Sequence, residues 1–288
     1  MFGRMSYTWD LLQASWAILK RDSRLLLFPL LSGICCLLVL ASFAVPIVLT
    51  HAWRPPAGSS AAAQQVVYYG TLFGYYFINY MVITFFNVAI VACAVDRMRG
   101  GSPDLRFGFR EAMARMHLIV GWALLSATVG LVLRIIEDRS KWLGRLVAGL
   151  LGVSWSVASY LVIPVLVVER KGALDALRDS AALFRKTWGE RLAVNFGFGA
   201  ILVLFALPGL LLVGTGIYVG AMAHNWPLGV ACIVMGATFF LIVHLVQSAL
   251  TSIFQAALYL HASGSTSEIS SMPHGFPVEL LQKAMVAK

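Results

Sequence analysis

Apolar residues run along this chain in six long blocks, separated by short segments that hold most of the charge. The blocks lie near 25–50, 67–96, 117–136, 145–168, 191–222 and 228–261. A helix needs about 20 apolar residues to cross the hydrocarbon core of a bilayer, and every block is long enough. The pattern therefore predicts an all-α polytopic membrane protein with six transmembrane helices in one domain over 1–261. The fifth and sixth blocks exceed a simple span, which predicts tilt, a kink or extension beyond the bilayer. Pro208-Gly209 marks the place for a kink in the fifth. The tail over 262–288 opens with ASGSTSEISSMPHGF and reads as flexible, with PVELLQKAM able to form one short helix.

Three of the intervening segments carry helical periodicity of their own. SYTWDLLQASWAILKRD places Trp9, Leu12, Trp16 and Leu19 on one stripe. SPDLRFGFREAMARM does the same with Leu105, Phe109, Ala112, Met113 and Met116, with Ser102 as the expected N-cap and Pro103 as the first helical residue. KGALDALRDSAALFRKTWG aligns Leu174, Leu177, Ala181, Phe184 and Trp188. These patterns predict three amphipathic helices lying in the membrane interface, anchored by Trp9, Trp16, Phe184 and Trp188. Each precedes a pair of spans, so the chain reads as three repeats of interfacial helix, span and span.

Composition agrees. The chain is 59% hydrophobic and 12% charged, with a mean hydropathy of +0.81, whereas a soluble domain is about 25% charged. The net charge of +9 lies beside the spans rather than on a water-facing surface, which points away from nucleic acid and towards topology and anionic lipid. With the N-terminus inside, seventeen of the twenty-two Lys and Arg residues fall on the inner side, leaving Arg54, Arg134, Arg139, Lys141 and Arg145 outside. The positive-inside rule then predicts a multi-pass protein with both termini in the cytoplasm. The first apolar block is too long, and starts too far in, to read as a cleaved signal. All four cysteines lie in apolar runs without metal-ligand spacing, and no metal or other cofactor is expected.

Polar residues inside spans are costly unless paired or facing a cavity. His244, Gln247, Ser248 and Thr251 follow one face of the last span, continued by Ser252 and Gln255, while Asn79 and Asn87 share a face of the second. Two readings stay open for them: hydrogen bonding between helices, or a hydrophilic pathway. Arg134 is expected to snorkel to outer headgroups, Asp96 and Arg97 to form a local ion pair, and Glu169 to pair with Arg170 or cap the next helix. Gly216 and Gly220 permit close helix approach, within one subunit or between two. No His-x-x-x-His, Gly-x-Ser-x-Gly or P-loop occurs, and a His244–Ser248 pair lacks an orienting acid.

Two stretches carry a resemblance. Pro164-Val-Leu-Val-Val-Glu169, with Gly172, Ala176-Leu177-Arg178 and Ser180, resembles the membrane domain attached to some glycerophosphodiester phosphodiesterases and related six-span envelope proteins. Ser15-Trp16, Leu19-Lys20 and Asp22, followed by LLLFPLLS, is similar to an uncharacterised family of bacterial integral membrane proteins. The phosphodiesterase's soluble barrel has no counterpart in this sequence, so the resemblance implies a fold and a membrane location without a reaction. The resulting expectation is a non-enzymatic, lipid-interacting scaffold or accessory subunit of an envelope assembly. Its expected partners are anionic headgroups and either another protein or a second copy of the chain. The competing class is a transporter or channel for a small or amphipathic solute, with His244, Gln247 and Thr251 facing Asn79 and Asn87.

Overall fold

The computed structural model describes residues 16, 19–20, 22–49, 60–139, 143–188, 192–222 and 224–263. Nine α-helices occur among them: α1 (Leu27–Leu49, entered through a 3-10 turn at Ser23–Leu26), α2 (Ala61–Met98), α3 (Leu105–Ala114), α4 (Met116–Arg139) and α5 (Leu143–Ala158), followed by α6 (Val162–Val168), α7 (Ala173–Trp188), α8 (Leu192–Ala221) and α9 (Trp226–Ala262). Among the described residues five stretches are long and apolar enough to cross a membrane: Ser23–Leu49, Ala62–Met98, Met116–Asp138, Gly144–Val168 and Trp226–Leu260. Within α8 the described apolar stretch is the shorter Leu207–Ala221. Trp9, the loop at 51–59 and the tail from 264 lie outside the described residues.

Side chains are buried almost wholly at one end of the bundle. On α2 every buried residue lies between Thr84 and Met98, and on α4 between Leu118 and Ala127. On α9 the buried run is Ala249–Leu260, apart from two glycines further up. This end also carries Arg97, Arg99, Arg106, Arg110, Arg170, Lys171, Arg178 and Arg185, and is called the basic end below. Towards the far end the helices expose Leu37 and Leu49 on α1, Val66 on α2, Leu150 on α5 and Leu241 on α9, which suits a solvent of acyl chains. α2 has 38 residues, about 57 Å of helix. Tilts reach about 40°, too little to fit that length within a core of about 30 Å, so α2 projects beyond it.

α8 and α9 meet through glycines at matched heights. A Cβ placed on Gly216 would lie 2.7 Å from the Gly229 carbonyl oxygen, and one on Gly236 would lie 2.8 Å from the Gly209 carbonyl oxygen. Gly209 and Gly216 are seven residues apart, as are Gly229 and Gly236, so two close approaches stack along one antiparallel seam. Backbones in lipid gain dispersion contact by such approach, where burying Leu against Leu gains little over lipid. The close approach expected of Gly216 is therefore made within the chain.

Gly216→Val is expected to overpack this seam and cost about 1–3 kcal/mol. Gly214→Val, where nothing lies within 4 Å of the added carbon, should change little. Thermal unfolding in detergent reads the contrast, and equal melting points for the two variants would refute the seam.

Candidate functional site

The fourth span is not continuous. Between α5 and α6 the helix breaks at Ser159–Leu161, and the sequence explains the place. Pro164 has no N–H and its ring clashes with the carbonyl four residues earlier, so a helix running through Tyr160 is disfavoured. Proline is tolerated in a first turn, which is where α6 puts it. A break inside a membrane protein exposes backbone groups that need partners from neighbouring helices.

Three neighbours hold α6, one at its start and two at its end. Ser180 on α7 is fully buried, and its hydroxyl accepts the Leu161 N–H at 3.0 Å. Arg115, 6% exposed in the turn between α3 and α4, donates from Nε and Nη2 to the Val167 carbonyl at 3.2 and 2.9 Å. Its Nη1 holds the Glu111 carboxylate at 2.6 Å, so the buried cation is paired as well as hydrogen-bonded. Tyr259 on α9, almost wholly buried, donates its hydroxyl to Glu169 just beyond α6. Glu169 also meets Lys171 at 2.5 Å, and Lys171 meets Asp179 at 2.6 Å. Glu169 thus joins α9 to Lys171 and α7, and the expected partner Arg170 is not the one it takes. Hydrogen bonds from Asp179 and then Glu169 push the Lys171 ammonium up from its ordinary value.

The two short helices pack against the spans through faces that only partly coincide with the expected apolar stripes. α7 runs back along the fourth span: Ser180 reaches Leu161, and the Phe184 ring packs edge-on against Tyr160 at 6.4 Å. Its packed face is Ala176, Ser180 and Phe184, whereas Leu174 of the expected stripe is 59% exposed. α3 likewise buries Gly108 and Ala112 while Met113 is exposed. Phe109 sits among Phe28, Phe85 and Phe86 at 5.6–6.1 Å. The physical reason is that lipid accepts leucine and methionine, so the faces that meet other helices carry small residues and hydrogen-bonding groups. α3 is capped by Asp104, whose carboxylate accepts the Phe107 N–H at 2.7 Å, and not by Ser102. Arg97 donates to the Gly101 carbonyl at 3.1 Å instead of pairing with Asp96. Of the expected anchors, Phe184 is buried, Trp16 is half exposed, and the side chain of Trp188 lies outside the described residues.

His244 is exposed, Gln247, Ser248 and Thr251 are half-buried, and Ser252 is buried with its hydroxyl on the Ser248 carbonyl at 3.0 Å. Asn79 and Asn87 are half-buried, and Asn79 donates to the Tyr75 carbonyl of its own helix at 3.3 Å. Among the described residues no hydrogen bond joins these asparagines to the polar face of α9. That face instead ends on the break in the fourth span, where Gln255 hydrogen-bonds the Tyr160 side chain. A shallow apolar groove of about 520 Å³ lies between α4 and the start of α7, lined by Gly121, Leu124, Leu125, Thr128, Ala173 and Leu174. No cluster of His, Cys, Asp and Glu suited to a metal occurs among the described residues.

Several apolar helices long enough to cross a bilayer, packed through glycines and buried polar pairs, define a multi-pass helical membrane protein. The chain belongs to a family of unknown function, DUF6159, whose profile matches residues 66–269. That match covers everything from the second span through the last, including the break and its three clasps. No curated protein matches the chain.

Ser180→Ala should leave the Leu161 N–H without its partner and cost about 1–3 kcal/mol. Ser154→Ala, which removes an exposed hydroxyl bonded within its own helix, should be nearly neutral. Thermal unfolding of both variants separates the clasp from a generic serine effect. Lys171 adds a pH signature. A raised amine stabilises fully below its ordinary value of 10.5 and loses that contribution as pH climbs through the folded value. The melting-point gap between wild type and Lys171→Met should therefore stay level from about pH 6 to 9 and close above about 10.5. A gap that closes near neutral pH would contradict the pairing.

Proposed function

We propose that this protein is a non-enzymatic scaffold or accessory subunit of an envelope assembly, working in a bacterial cytoplasmic membrane and held there by six spans. In this reading both termini and the basic end face the cytoplasm, and the three units of short helix, span and span descend from one repeated element. The observation that carries it is the concentration of the packed core and the basic residues at one end, with apolar helix surface left to lipid at the other. Such an arrangement builds a rigid cytoplasmic platform for anionic headgroups and a protein partner. The groove beside α7 has the dimensions and apolar lining to take an acyl chain. The resemblance of Pro164–Glu169 and the residues after it to the phosphodiesterase membrane domain fits a structural role, because those residues form α6 and its clasps.

One observation favours transport as a second reading. Discontinuous membrane helices are where many transporters bind their solutes, and the polar face of α9 runs to this one through Gln255. Affinity purification of the full chain in mild detergent, with lipid and protein mass spectrometry, tests the first reading. It predicts retained anionic phospholipid and a partner at constant stoichiometry. Proteoliposomes that pass amphipathic solutes, and lose that flux in Gln255→Leu, would replace the scaffold with the transporter.

A further inference from the structure

At the far end α2 and α4 bring together a mixed cluster that the clasps around α6 do not use. Arg134, in the last turns of α4, meets Glu137 through Nη1 at 3.4 Å and Asp138 through Nε at 3.4 Å. Tyr68 on α2 hydrogen-bonds Arg134, and Tyr69 reaches Asp138 at 3.5 Å. The two rings lie edge to face at 5.1 Å. Arg134 does not project alone to headgroups as expected, because it sits among two carboxylates and two phenols.

The geometry differs from the ion pairs that hold the fold. Arg115–Glu111, Lys171–Glu169 and Lys171–Asp179 close to 2.5–2.6 Å. At the far end both contacts are 3.4 Å, and the three side chains are 43%, 40% and 32% exposed. Loose, exposed pairs contribute little to stability. A guanidinium has five N–H donors, more than the three side chains around Arg134 use. The cluster lies at the end of a span, at the depth where phospholipid headgroups sit.

We propose that this cluster is a binding site for a zwitterionic phospholipid headgroup bearing a primary ammonium, the phosphate on Arg134 and the ammonium between Glu137 and Asp138. Arg is suited to a phosphate because its planar fork gives two parallel donors. A primary ammonium donates hydrogen bonds to both carboxylates, which a trimethylated one cannot. The exposed Tyr68 ring adds an aromatic face towards the cation. An anionic headgroup without an amine would add its charge to two carboxylates that already share one cation. This site is separate from the basic end, and its failure would leave the scaffold reading standing.

The test uses the full chain in nanodiscs of equal parts phosphatidylethanolamine, phosphatidylcholine and phosphatidylglycerol, followed by partial delipidation and quantitation of retained lipid. Phosphatidylethanolamine should exceed phosphatidylcholine about fivefold among tightly held lipid, the ratio expected of one exposed charge pair. Glu137→Gln with Asp138→Asn should abolish that preference while retaining phosphatidylcholine. Arg134→Gln should lower retention of both, and Arg134→Lys should restore part of it. Circular dichroism and melting curves of each variant identify any that fail to fold, and the Arg134→Lys comparison then carries the test. Equal retention of the three lipids by the wild type, or an ethanolamine preference that survives the double substitution, would overturn the proposal.

Discussion

The rest of this fold depends on one constraint: a membrane helix interrupted by proline must find partners for the backbone groups it releases. Water is not there to supply them, and each unsatisfied group costs several kcal/mol in hydrocarbon. Pro164 breaks the fourth span, and the chain answers with side chains from two helices and one turn. Ser180 takes the Leu161 N–H, Arg115 covers the Val167 carbonyl, and Tyr259 fastens the end through Glu169. The short helices α3 and α7 make sense in that light. They fold back against spans because they deliver, or lead directly into, the groups that close the break.

The clasps also account for where the core is. With α6 packed on α2 and held by α7, α9 and the turn before α4, these elements are drawn together at the basic end, and the buried runs on α2, α4 and α9 follow. Beyond that collar α2 and α4 stay in touch as far as Tyr69 and Asp138, and α8 and α9 pack through small residues. Two packing regimes therefore coexist: polar clasps at one end, and glycine-mediated backbone contact along a single hairpin. At the basic end the clasps act beside a core of large apolar side chains, Phe28, Ile119, Leu166 and Ile253 among them, whereas the hairpin seam is built from glycine.

Much of this was legible in the sequence. The expected span at 145–168 corresponds to Gly144–Val168, and that at 228–261 to Trp226–Leu260. The short helices over 105–114 and 173–188 announced themselves by their 3.6-residue period. Their orientation did not, because periodicity finds the apolar stripe but not whether it meets lipid or a neighbouring helix. Leu174 and Met113 sit on the outside, while Ala176, Ser180 and Arg115 face in. A small or polar residue recurring at four-residue spacing, as at Ala176, Ser180 and Phe184, is the signal that would have given the rotation. The break was foreshadowed by Pro164, but which residues would close it is a matter of tertiary contact over as many as ninety positions. The polar residues of the last span were found as a set, yet their partner proved to be Tyr160 through Gln255 and not the asparagines of the second span.

The central claim is that the broken span is held as firmly as an unbroken one. Amide hydrogen exchange of the full chain in lipid nanodiscs, read by mass spectrometry over residues 159–168, tests it most directly. The account predicts that this segment exchanges as slowly as residues 84–98 of α2, because Ser180 closes the Leu161 N–H and the end of α6 is held by Arg115 and Tyr259. Exchange over 159–168 on the timescale of a frayed helix end, with 84–98 still protected, would contradict it.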